Sequence, residues 1–350
     1  MVGANAAGAR RHDDPYHAAM TERRALLLTD GHAGNRAQAR ALADAMGLAG
    51  DEPALALPAP WRWFAPRSLP GAGRFLPVSA RAVLEPTRRG APRDEGTYSL
   101  AIGCGRLGAW ATARLRGQLF TAQILDPRLD PRGWDVVIAP LHDGLAGDNV
   151  ITTLGALNSV TPARLAAAAI ARPEFAGVPS PRTAVLVGGS TRAQRIDAGY
   201  IDALLQSLQE THAADGGGFL VTTSRRTGAD ALAALRVGLA HLPARIWAGE
   251  RDGPNPYLAF LAHAQRIVVT PDSVNLASEA CATGKPVYVH AQEPVRGKLA
   301  RFHEALIARG HARPLAQFDP AWEAVPLRET QGVAEEVWRR MRAREKGPRA

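Results

Sequence analysis

The sequence lacks any apolar run of the about 18 residues that a membrane-spanning helix requires. It is also poor in cysteine, with only Cys104 and Cys281, whose spacing fits neither a zinc site nor a redox motif. Both cysteines fall in predicted interior elements, so we expect reduced core thiols, as in a cytoplasmic protein. From these shortages we predict no membrane span, no disulfide and no metal site.

Lysine is scarce as well. Only Lys285, Lys298 and Lys346 stand among the 42 basic residues, so the net charge of +9 comes mainly from arginine. A basic surface suits nucleic acid, anionic lipid or a nucleotide ligand, and the planar guanidinium group matches phosphate oxygens. The sequence contains no zinc finger, basic helix or ribonucleoprotein aromatic motif. We therefore expect no nucleic-acid partner.

What the chain does contain is a regular alternation of β-branched runs and helical periodicity over 350 residues, of which 46% are hydrophobic. This length predicts two domains, and the alternation predicts parallel sheets with helices on both faces. A proline-rich break at Ala171–Arg182 separates the two halves. The predicted fold class is α/β, with two doubly wound Rossmann-like domains that face each other across a cleft.

Composition and periodicity also set the predicted boundaries. Residues 1–21 lack an apolar signal core, which predicts a disordered leader. The first domain spans 22–172 and begins with the strand Ala25–Thr29, followed by a weaker strand near Ala54–Leu57. The second domain spans 183–330, and 331–350 form a C-terminal helix and tail. Closure of the domains across Ala171–Arg182 would exclude water from the cleft.

One βαβ unit near the end of the chain is the clearest local signal. A strand at Arg266–Thr270 leads through a polar turn to a helix at Val274–Thr283, and a second strand covers Pro286–His290. The unpaired N–H groups at the start of this helix suit a phosphate at Asp272 and Ser273. Glu279, further along the helix, is placed to accept hydrogen bonds from a ribose. An ordinary helix cap and a solvated glutamate are the alternatives.

Polar residues that follow strands mark the candidate site, because ligands of open parallel sheets bind beyond the carboxyl ends of the strands. A glycine turn opens the second domain, and hydroxyl and guanidinium groups after its next strand suit a diphosphate. A tight turn and a solvated cap are the alternatives. The predicted ligand-binding residues are Gly188, Gly189, Ser190, Thr223, Ser224, Arg225, Arg226, Asn255, Asp272, Ser273 and Glu279. The other predicted cleft residues are Asn35, Arg106, His142, Asp143, Asp148 and Asn149.

Two motifs of the first domain carry further hypotheses. His32 lies in a glycine-flanked turn with Asp30 two residues earlier, and a neutral imidazole there could deprotonate an acceptor hydroxyl. A helix cap or a surface histidine is the alternative. Gly103–Gly108 fits the dinucleotide pattern G-x-G-x-x-G, with Asp126 after the next strand. We favour close strand-to-helix packing over NAD binding, because the motif lies in mid-domain.

An irregular insert at Pro60–Glu95 interleaves aromatic residues with arginines. Over Trp61–Arg93 this composition suits a membrane interface with anionic lipid. The other interpretation, which we favour slightly, is a loop that packs its aromatic side chains inward.

Together, these segments resemble the mitochondrial-fission Elm-type ("elongated mitochondria") family. The resemblance covers most of residues 25–315 and rests on Leu26–Gly47, Ala122–Arg128, Ala139–Asn158, Val185–Arg192, Leu220–Thr227, Asn255–Val289 and Lys298–Pro314. It implies a GT-B glycosyltransferase fold whose second half is similar to a nucleotide-sugar donor domain. In that fold Glu279 would hold the ribose, Gly188–Ser190 the diphosphate, and His32 would be the base. The segment Asp272–Asn275 departs from the usual Gly-x-x-Ser/Thr of such donor loops.

The predicted function is a metal-independent GT-B-like transferase that needs no cofactor. It would move a sugar from a nucleoside-diphosphate donor to a hydroxyl acceptor, which we expect to be lipid-linked, at the inner face of the membrane. The alternative is a non-catalytic scaffold that recruits a protein partner at a membrane, as the plant member of the family recruits a dynamin-type fission protein. An NAD-dependent or epimerase-like enzyme is the third hypothesis.

Overall fold

A computed structural model describes residues 23–67, 71, 74, 76–84, 98–191 and 194–346. The predicted leader at 1–21, Arg192, the tail after Lys346 and parts of the aromatic insert lie outside the described residues. Within this described part of the chain, no helix has the length and apolar character needed to cross a membrane.

The first domain is built on a parallel sheet with strand order β2-β1-β3-β4-β5-β6. Strands β3, β4 and β5 are buried at every position, which explains why they read as continuous apolar runs. The strands are β1 Arg24–Thr29, β2 Ala49–Asp51, β3 Leu100–Cys104, β4 Phe120–Ile124, β5 Val136–Pro140 and β6 Val150–Thr153. The second strand differs from the prediction near Ala54–Leu57. Leu55 and Leu57 pack instead in the apolar layer behind the sheet.

In the described part of the chain up to residue 171, the α-helices are α1 Ala33–Ala45, α2 Trp61–Phe64, α3 Val78–Leu84, α4 Gly105–Ala113 and α5 Pro162–Ala171. Helix α5 begins where the sequence indicates, since Thr161 accepts a hydrogen bond from the Arg164 N–H and Pro162 occupies the first turn.

The second domain repeats the design, with a parallel sheet of order β12-β11-β10-β7-β8-β9. Its strands are β7 Thr183–Val187, β8 Phe219–Thr223, β9 Ala244–Trp247, β10 Arg266–Val269, β11 Val287–Val289 and β12 Arg313–Pro314. Its helices are α6 Ala198–Asp215, α7 Ala229–Gly238, α8 Tyr257–His263, α9 Val274–Ala282 and α10 Gly297–Ala308. The βαβ unit is confirmed as β10-α9-β11, whereas α10 and β12 are elements that the sequence analysis does not name.

Each sheet has one point where its strand order reverses. In the first domain this point lies between β1 and β3, and in the second it lies between β7 and β10. Loops that leave such neighbouring strands diverge to opposite faces and open a crevice at the carboxyl edge. The Asp30 loop and the Gly105 loop flank the first crevice, and the Gly188 loop and the Pro271 loop flank the second. The predicted fold class, two Rossmann-like α/β domains, is therefore confirmed.

The two domains exchange helices at their ends. Helix α5 packs on α8, and Leu165 joins the second-domain core. Helix α11 (Thr330–Lys346) returns to the first domain, where Val337 and Met341 pack with the residues around α1. The sequence analysis assigns α5 to the first domain, whereas its apolar face belongs to the second.

The chain crosses between the domains at two adjoining segments, Leu154–Asn158 and Leu327–Thr330. The Glu329 carboxylate accepts hydrogen bonds from the N–H groups of Leu154 (2.8 Å) and Gly155 (2.9 Å). The hydroxyl of Thr330 accepts from the Asn158 N–H and donates to the Asn158 carbonyl.

The proline-rich break at Ala171–Arg182 packs on the second domain. Phe175 and Val178 pack against Phe260 in that domain. Arg182 donates hydrogen bonds to the carbonyls of His263 (2.8 Å) and Val178 (3.0 Å). These contacts attach the segment to the second domain, and closure of the domains across it stays a prediction.

Val337 tests the docking of α11, because its side chain is fully buried in the first-domain core. We expect Val337→Ala to lower the free energy of unfolding by about 2 kcal/mol in urea titrations. Arg342→Ala, at an exposed position of the same helix, is the control and should change it by less than about 0.5 kcal/mol. Equal effects of the two substitutions would show that α11 does not dock on the first domain.

Candidate functional site

The glycine turn (Gly188–Ser190) and the loop after β8 form one unit at the second crevice. The Ser224 N–H donates to the Val187 carbonyl (2.8 Å), and the Thr227 hydroxyl donates to the Gly188 carbonyl (2.5 Å). A Cβ atom on Gly189 would lie 2.4 Å from the Arg226 carbonyl oxygen, so only glycine fits there. The structure therefore brings together the predicted residues Gly188, Gly189, Ser190, Thr223, Ser224, Arg225 and Arg226.

Asp272 extends from the loop after β10 into this glycine turn. Its side chain has no solvent exposure. One carboxylate oxygen, Oδ2, accepts from the Gly189 N–H (3.0 Å), and the other, Oδ1, accepts from the Thr270 hydroxyl (2.5 Å). The Arg226 guanidinium lies 3.6 Å from Oδ2. The sequence predicts that Asp272 lies at a phosphate site. In the structure, its own carboxylate has the N–H, hydroxyl and guanidinium partners that a bound phosphate would have.

Glu279 lies on α9 beside Tyr257, the first residue of α8. The Tyr257 hydroxyl donates a hydrogen bond to the Glu279 Oε2 (2.5 Å). Burial raises the pKa of Glu279 above its ordinary value, and the bond from Tyr257 offsets part of this rise. Burial and the neighbouring carboxylate raise the pKa of Tyr257 well above its usual range.

Two of the predicted ligand contacts make hydrogen bonds near helix starts in the second domain. The Asn255 side chain accepts from the Tyr257 N–H (3.0 Å), just before α8. Ser273 is the N-cap of α9 and accepts from the Leu276 N–H (3.3 Å). For Ser273, the hydrogen bond is that of the capping alternative.

At the first crevice, Asp30 is occupied with its own loop. Its carboxylate accepts from the Asn35 amide (2.9 and 3.0 Å) and from the His32 N–H (3.2 Å). His32 is exposed at the N-cap of α1, and its side chain makes no capping bond. Asp30 therefore orders the backbone of the turn rather than the imidazole ring.

A cavity of about 820 Å³ lies at the carboxyl edge of the first sheet. It includes the predicted residues Asn35, Arg106, His142 and Asp143, and the second domain contributes Val274, Asn275 and Lys298 to its wall. The sequence analysis missed several lining side chains, namely Trp63, Phe64, Arg67, Asp126, Arg128, Thr153, Asn275 and Lys298. We call this space the cleft cavity.

Contacts between the domains close one side of the cleft cavity. The Lys298 ammonium lies 2.5 Å from the Asp143 carboxylate, and Arg301 donates to the His142 carbonyl (2.9 Å). A Cβ atom on Gly34 would lie 2.2 Å from the Asn275 amide nitrogen, so the absent side chain lets the starts of α1 and α9 approach each other. Asn275 belongs to the unusual segment Asp272–Asn275, and Lys298 is one of the rare lysines. Both facts could have drawn attention to these residues.

His142 is the imidazole in the wall of the cleft cavity. Its ring packs edge-on against Phe302, with centroids 5.6 Å apart, and its Nδ1 is buried with no hydrogen-bond partner among the described residues. Burial lowers the pKa of His142, the Asp143 charge opposes this, and Lys298 and Arg301 add to the lowering. Burial therefore favours the neutral form of the ring.

The glycines of Gly103–Gly108 serve packing. A Cβ atom on Gly108 would lie 2.4 Å from the Leu28 carbonyl oxygen, and one on Gly103 would lie 2.4 Å from the Gln123 side chain. Arg106 donates to the carbonyls of Trp63 (2.8 Å) and Ala65 (2.7 Å), which fixes the insert beside α4. These contacts match the packing interpretation that the sequence favours over NAD binding.

The structure does not bring Asp148 and Asn149 into the cleft. They precede β6, and β6 runs parallel to β5, so they lie at the opposite edge of the sheet from the cleft cavity. The Asn149 amide donates to the carbonyls of Pro131 (2.8 Å) and Trp134 (3.0 Å). The prediction is wrong for these two residues because the loop after β5 runs from the carboxyl edge of the sheet back to its amino edge, where β6 begins.

Comparison with known proteins settles the family. The family model described as "Mitochondrial fission ELM1" matches residues 33–341. The mitochondrial fission protein ELM1 of Arabidopsis thaliana is 31% identical over 304 residues, which cover 78% of this chain and 70% of the plant protein. The chain belongs to the mitochondrial fission ELM1 family. The resemblance seen in the sequence is confirmed.

Solved structures place this ELM1-family chain among GT-B proteins by fold. Os79 from O. sativa, in complex with UDP, has a TM-score of 0.52 and 15% identity, covering 92% of each chain. The UDP-N-acetylglucosamine 2-epimerase from Rickettsia bellii has a TM-score of 0.50 and 11% identity, covering 92% of this chain and 96% of its own. At such low identity the likeness shows the architecture alone.

Among the described residues, no three His, Cys, Asp or Glu side chains gather as metal ligands.

Glu279 predicts a pH dependence with a definite sign. Because burial raises its pKa, the folded state binds the proton more tightly than the unfolded state, and stability falls as pH rises from the unfolded towards the folded pKa. Glu279→Gln cannot ionise. The melting temperature of this variant minus that of the unmodified chain should therefore increase as the pH rises from about 4 to about 7. Glu304→Gln, at an exposed position, is the control. A difference that does not change with pH would contradict the buried carboxyl group.

Proposed function

We propose that this ELM1-family protein is a metal-independent, GT-B-type transferase that moves a sugar from a nucleoside-diphosphate donor to a hydroxyl acceptor. The observation that carries the proposal is the cleft cavity, which has the size of a small-molecule site and is walled by both domains. The acceptor would occupy this cavity, and the donor would bind at the second crevice, on the other side of Asn275.

The second domain offers the groups that a nucleotide needs. In the described part of the chain no hydrogen bond reaches Oε1 of Glu279, and the residue is only partly buried, so this oxygen is open to a ribose hydroxyl. Arg226, whose side chain is 58% exposed, and Arg225 would balance charge on the leaving diphosphate. Asn255, Ser273 and the glycine turn would complete the donor site. The structure of Os79 contains UDP, and the related epimerase is named for a UDP-sugar, which supports this donor class.

The transfer requires a base near the acceptor hydroxyl. We propose His32 for this role, with Asp30 fixing its loop, because it lies beside the first crevice. His142 is the competing imidazole, since it lines the cleft cavity and burial lowers its pKa. Loss of transfer in His32→Gln but not in His142→Gln would assign the base to His32, and the reverse result would assign it to His142.

The acceptor is proposed to be lipid-linked, with the protein cytoplasmic and peripheral on the membrane. Trp63 and Phe64 line the cleft cavity, yet their side chains are 64% and 48% exposed. The cationic residues Arg62 and Arg67 flank them in the sequence. Exposed aromatic rings beside arginines suit an interface with anionic lipid, so a lipid chain could lie along this rim while its head group enters the cavity.

A second candidate function, a non-catalytic scaffold that recruits a protein partner at a membrane, has its own supporting observation. Asp272 and Tyr257 satisfy, from within the chain, both the glycine turn and one oxygen of Glu279. A fold that no longer turned over a donor would retain such internal contacts. The fission name of the plant relative agrees with this alternative.

Nucleotide binding separates these candidates. We expect at least one of the UDP, GDP, ADP and CMP sugars to raise the melting temperature, because a ligand that binds only the folded state stabilises it. Glu279→Gln should weaken that binding about tenfold or more, since a charged hydrogen-bond acceptor is lost. Glu304→Gln removes the same charge at an exposed position of the second domain and should bind normally. No shift with any nucleotide sugar would favour the scaffold, and a shift with NAD alone would favour a dehydrogenase-like enzyme.

Membrane association is tested with the exposed aromatic pair. We expect the protein to co-sediment with vesicles that contain anionic lipid, and the double variant Trp63→Ala, Phe64→Ala to bind about tenfold less. The double variant Ile170→Ala, Val237→Ala is the matched control, because these side chains are 80% and 74% exposed but lie away from the cleft cavity. Equal binding by both double variants would exclude the aromatic rim as the lipid contact.

A further inference from the structure

The glycine turn of the second domain already holds an anion, and that anion is part of the chain. The Gly189 N–H donates directly to the Asp272 carboxylate. The Gly188 N–H donates to the Thr270 hydroxyl (2.8 Å), which in turn donates to the same carboxylate. The N–H groups of both glycines are therefore directed at Asp272, that of Gly188 through the Thr270 hydroxyl. This is how a glycine turn holds a phosphate oxygen.

The charge around Asp272 is balanced as it would be for a bound phosphate. The side chain is fully buried, and the Arg226 guanidinium supplies the nearest positive charge, 3.6 Å away. Backbone N–H donors and a nearby cation are the partners that stabilise an anionic group in a buried position. A second anionic group at the same position would compete with the Asp272 carboxylate for these partners.

The presence of glycine at position 188 is explained by the Asp272 side chain rather than by space for a ligand. A Cβ atom on Gly188 would lie 2.1 to 2.4 Å from the carboxylate atoms of Asp272, far inside contact distance. Glycine at this position is required for Asp272 to occupy the turn. The missing side chain therefore does not by itself indicate room for a ligand.

We propose that Asp272 is the resident anion of the glycine turn and that it determines which ligands the second domain accepts. A ligand phosphate reaches the turn only by displacing the Asp272 carboxylate. A ligand whose anionic group lies elsewhere, against Arg225 or the start of α9, does not meet this competition. For the identity of the ligand the inference rests on the proposed transferase function, whereas the occupied turn itself does not.

Titration calorimetry with pyrophosphate and with UDP tests the competition. Asp272→Asn keeps the size of the side chain and an oxygen for the Gly189 N–H but removes the charge. We expect it to bind pyrophosphate about tenfold or more tightly than the unmodified chain. Asp202→Asn removes the same charge from an exposed position on α6 and should leave the affinity unchanged. Equal affinities of the unmodified chain and Asp272→Asn, or no binding by either, would overturn the proposal.

A glycine substitution gives a second test that needs no ligand. Gly188→Ala should lower the melting temperature sharply or prevent folding in the unmodified chain, because its Cβ overlaps the Asp272 carboxylate. In the Asp272→Gly background that overlap is absent, so the same substitution should cost much less. An equal decrease in melting temperature in both backgrounds would show that the Asp272 side chain is not the reason why glycine is needed at position 188.

The outcomes also separate this inference from the proposed function. If Asp272→Asn binds pyrophosphate more tightly than the unmodified chain but binds neither UDP nor any nucleotide sugar, the inference stands and the transferase proposal fails. If UDP binds the unmodified chain and Asp272→Asn equally well, nucleotide binding stands and the role of Asp272 is refuted.

Discussion

The relative placement of the two domains depends on the carboxylate of Glu329. It binds the N–H groups of Leu154 and Gly155 just where the chain leaves the first domain, while Glu329 itself lies where the chain returns. Without these bonds, two backbone donors in a narrow crossing would lack partners, which is costly in a buried position. These bonds join the two crossing segments to each other, in addition to the contacts that Lys298 and Arg301 make between the domains. The cleft cavity, walled by both domains, depends on this constraint.

In the second-domain crevice, groups that could bind a nucleotide are partnered from within the chain. The glycine turn, the arginine-bearing loop and the glutamate on α9 all occupy positions that a donor site would use. Asp272 and Tyr257 are also there, and each satisfies a group that a nucleotide would otherwise bind. A buried polar group without a partner is unfavourable, so these internal partners stabilise the folded chain. Under the proposed function, the same partners would compete with a bound ligand.

Much of the architecture could be predicted because buried parallel strands are apolar at nearly every position and their connections repeat. The strands Ala25–Thr29 and Arg266–Thr270 and the helix after Asp272 stand out for this reason. The second strand was misplaced because an edge strand such as Ala49–Asp51 has weak apolar character and is held partly by the Arg24–Asp51 ion pair. The site was harder to predict. Asn275 and Lys298 reach the cleft cavity only through the packing of one domain on the other, and Asn149 leaves it because its loop runs the length of the sheet.

The exchange of α5 and α11 has a consequence for how the protein can be divided. A cut in the proline-rich break would give one fragment whose core lacks Val337 and Met341 and another that lacks Leu165. Each piece would expose an apolar stripe where its missing helix belongs, so neither half of the sequence is an autonomous folding unit. The first domain is completed only after α11 has been synthesised. Until then, the apolar face of α1 on which α11 packs lacks its partner in the nascent chain.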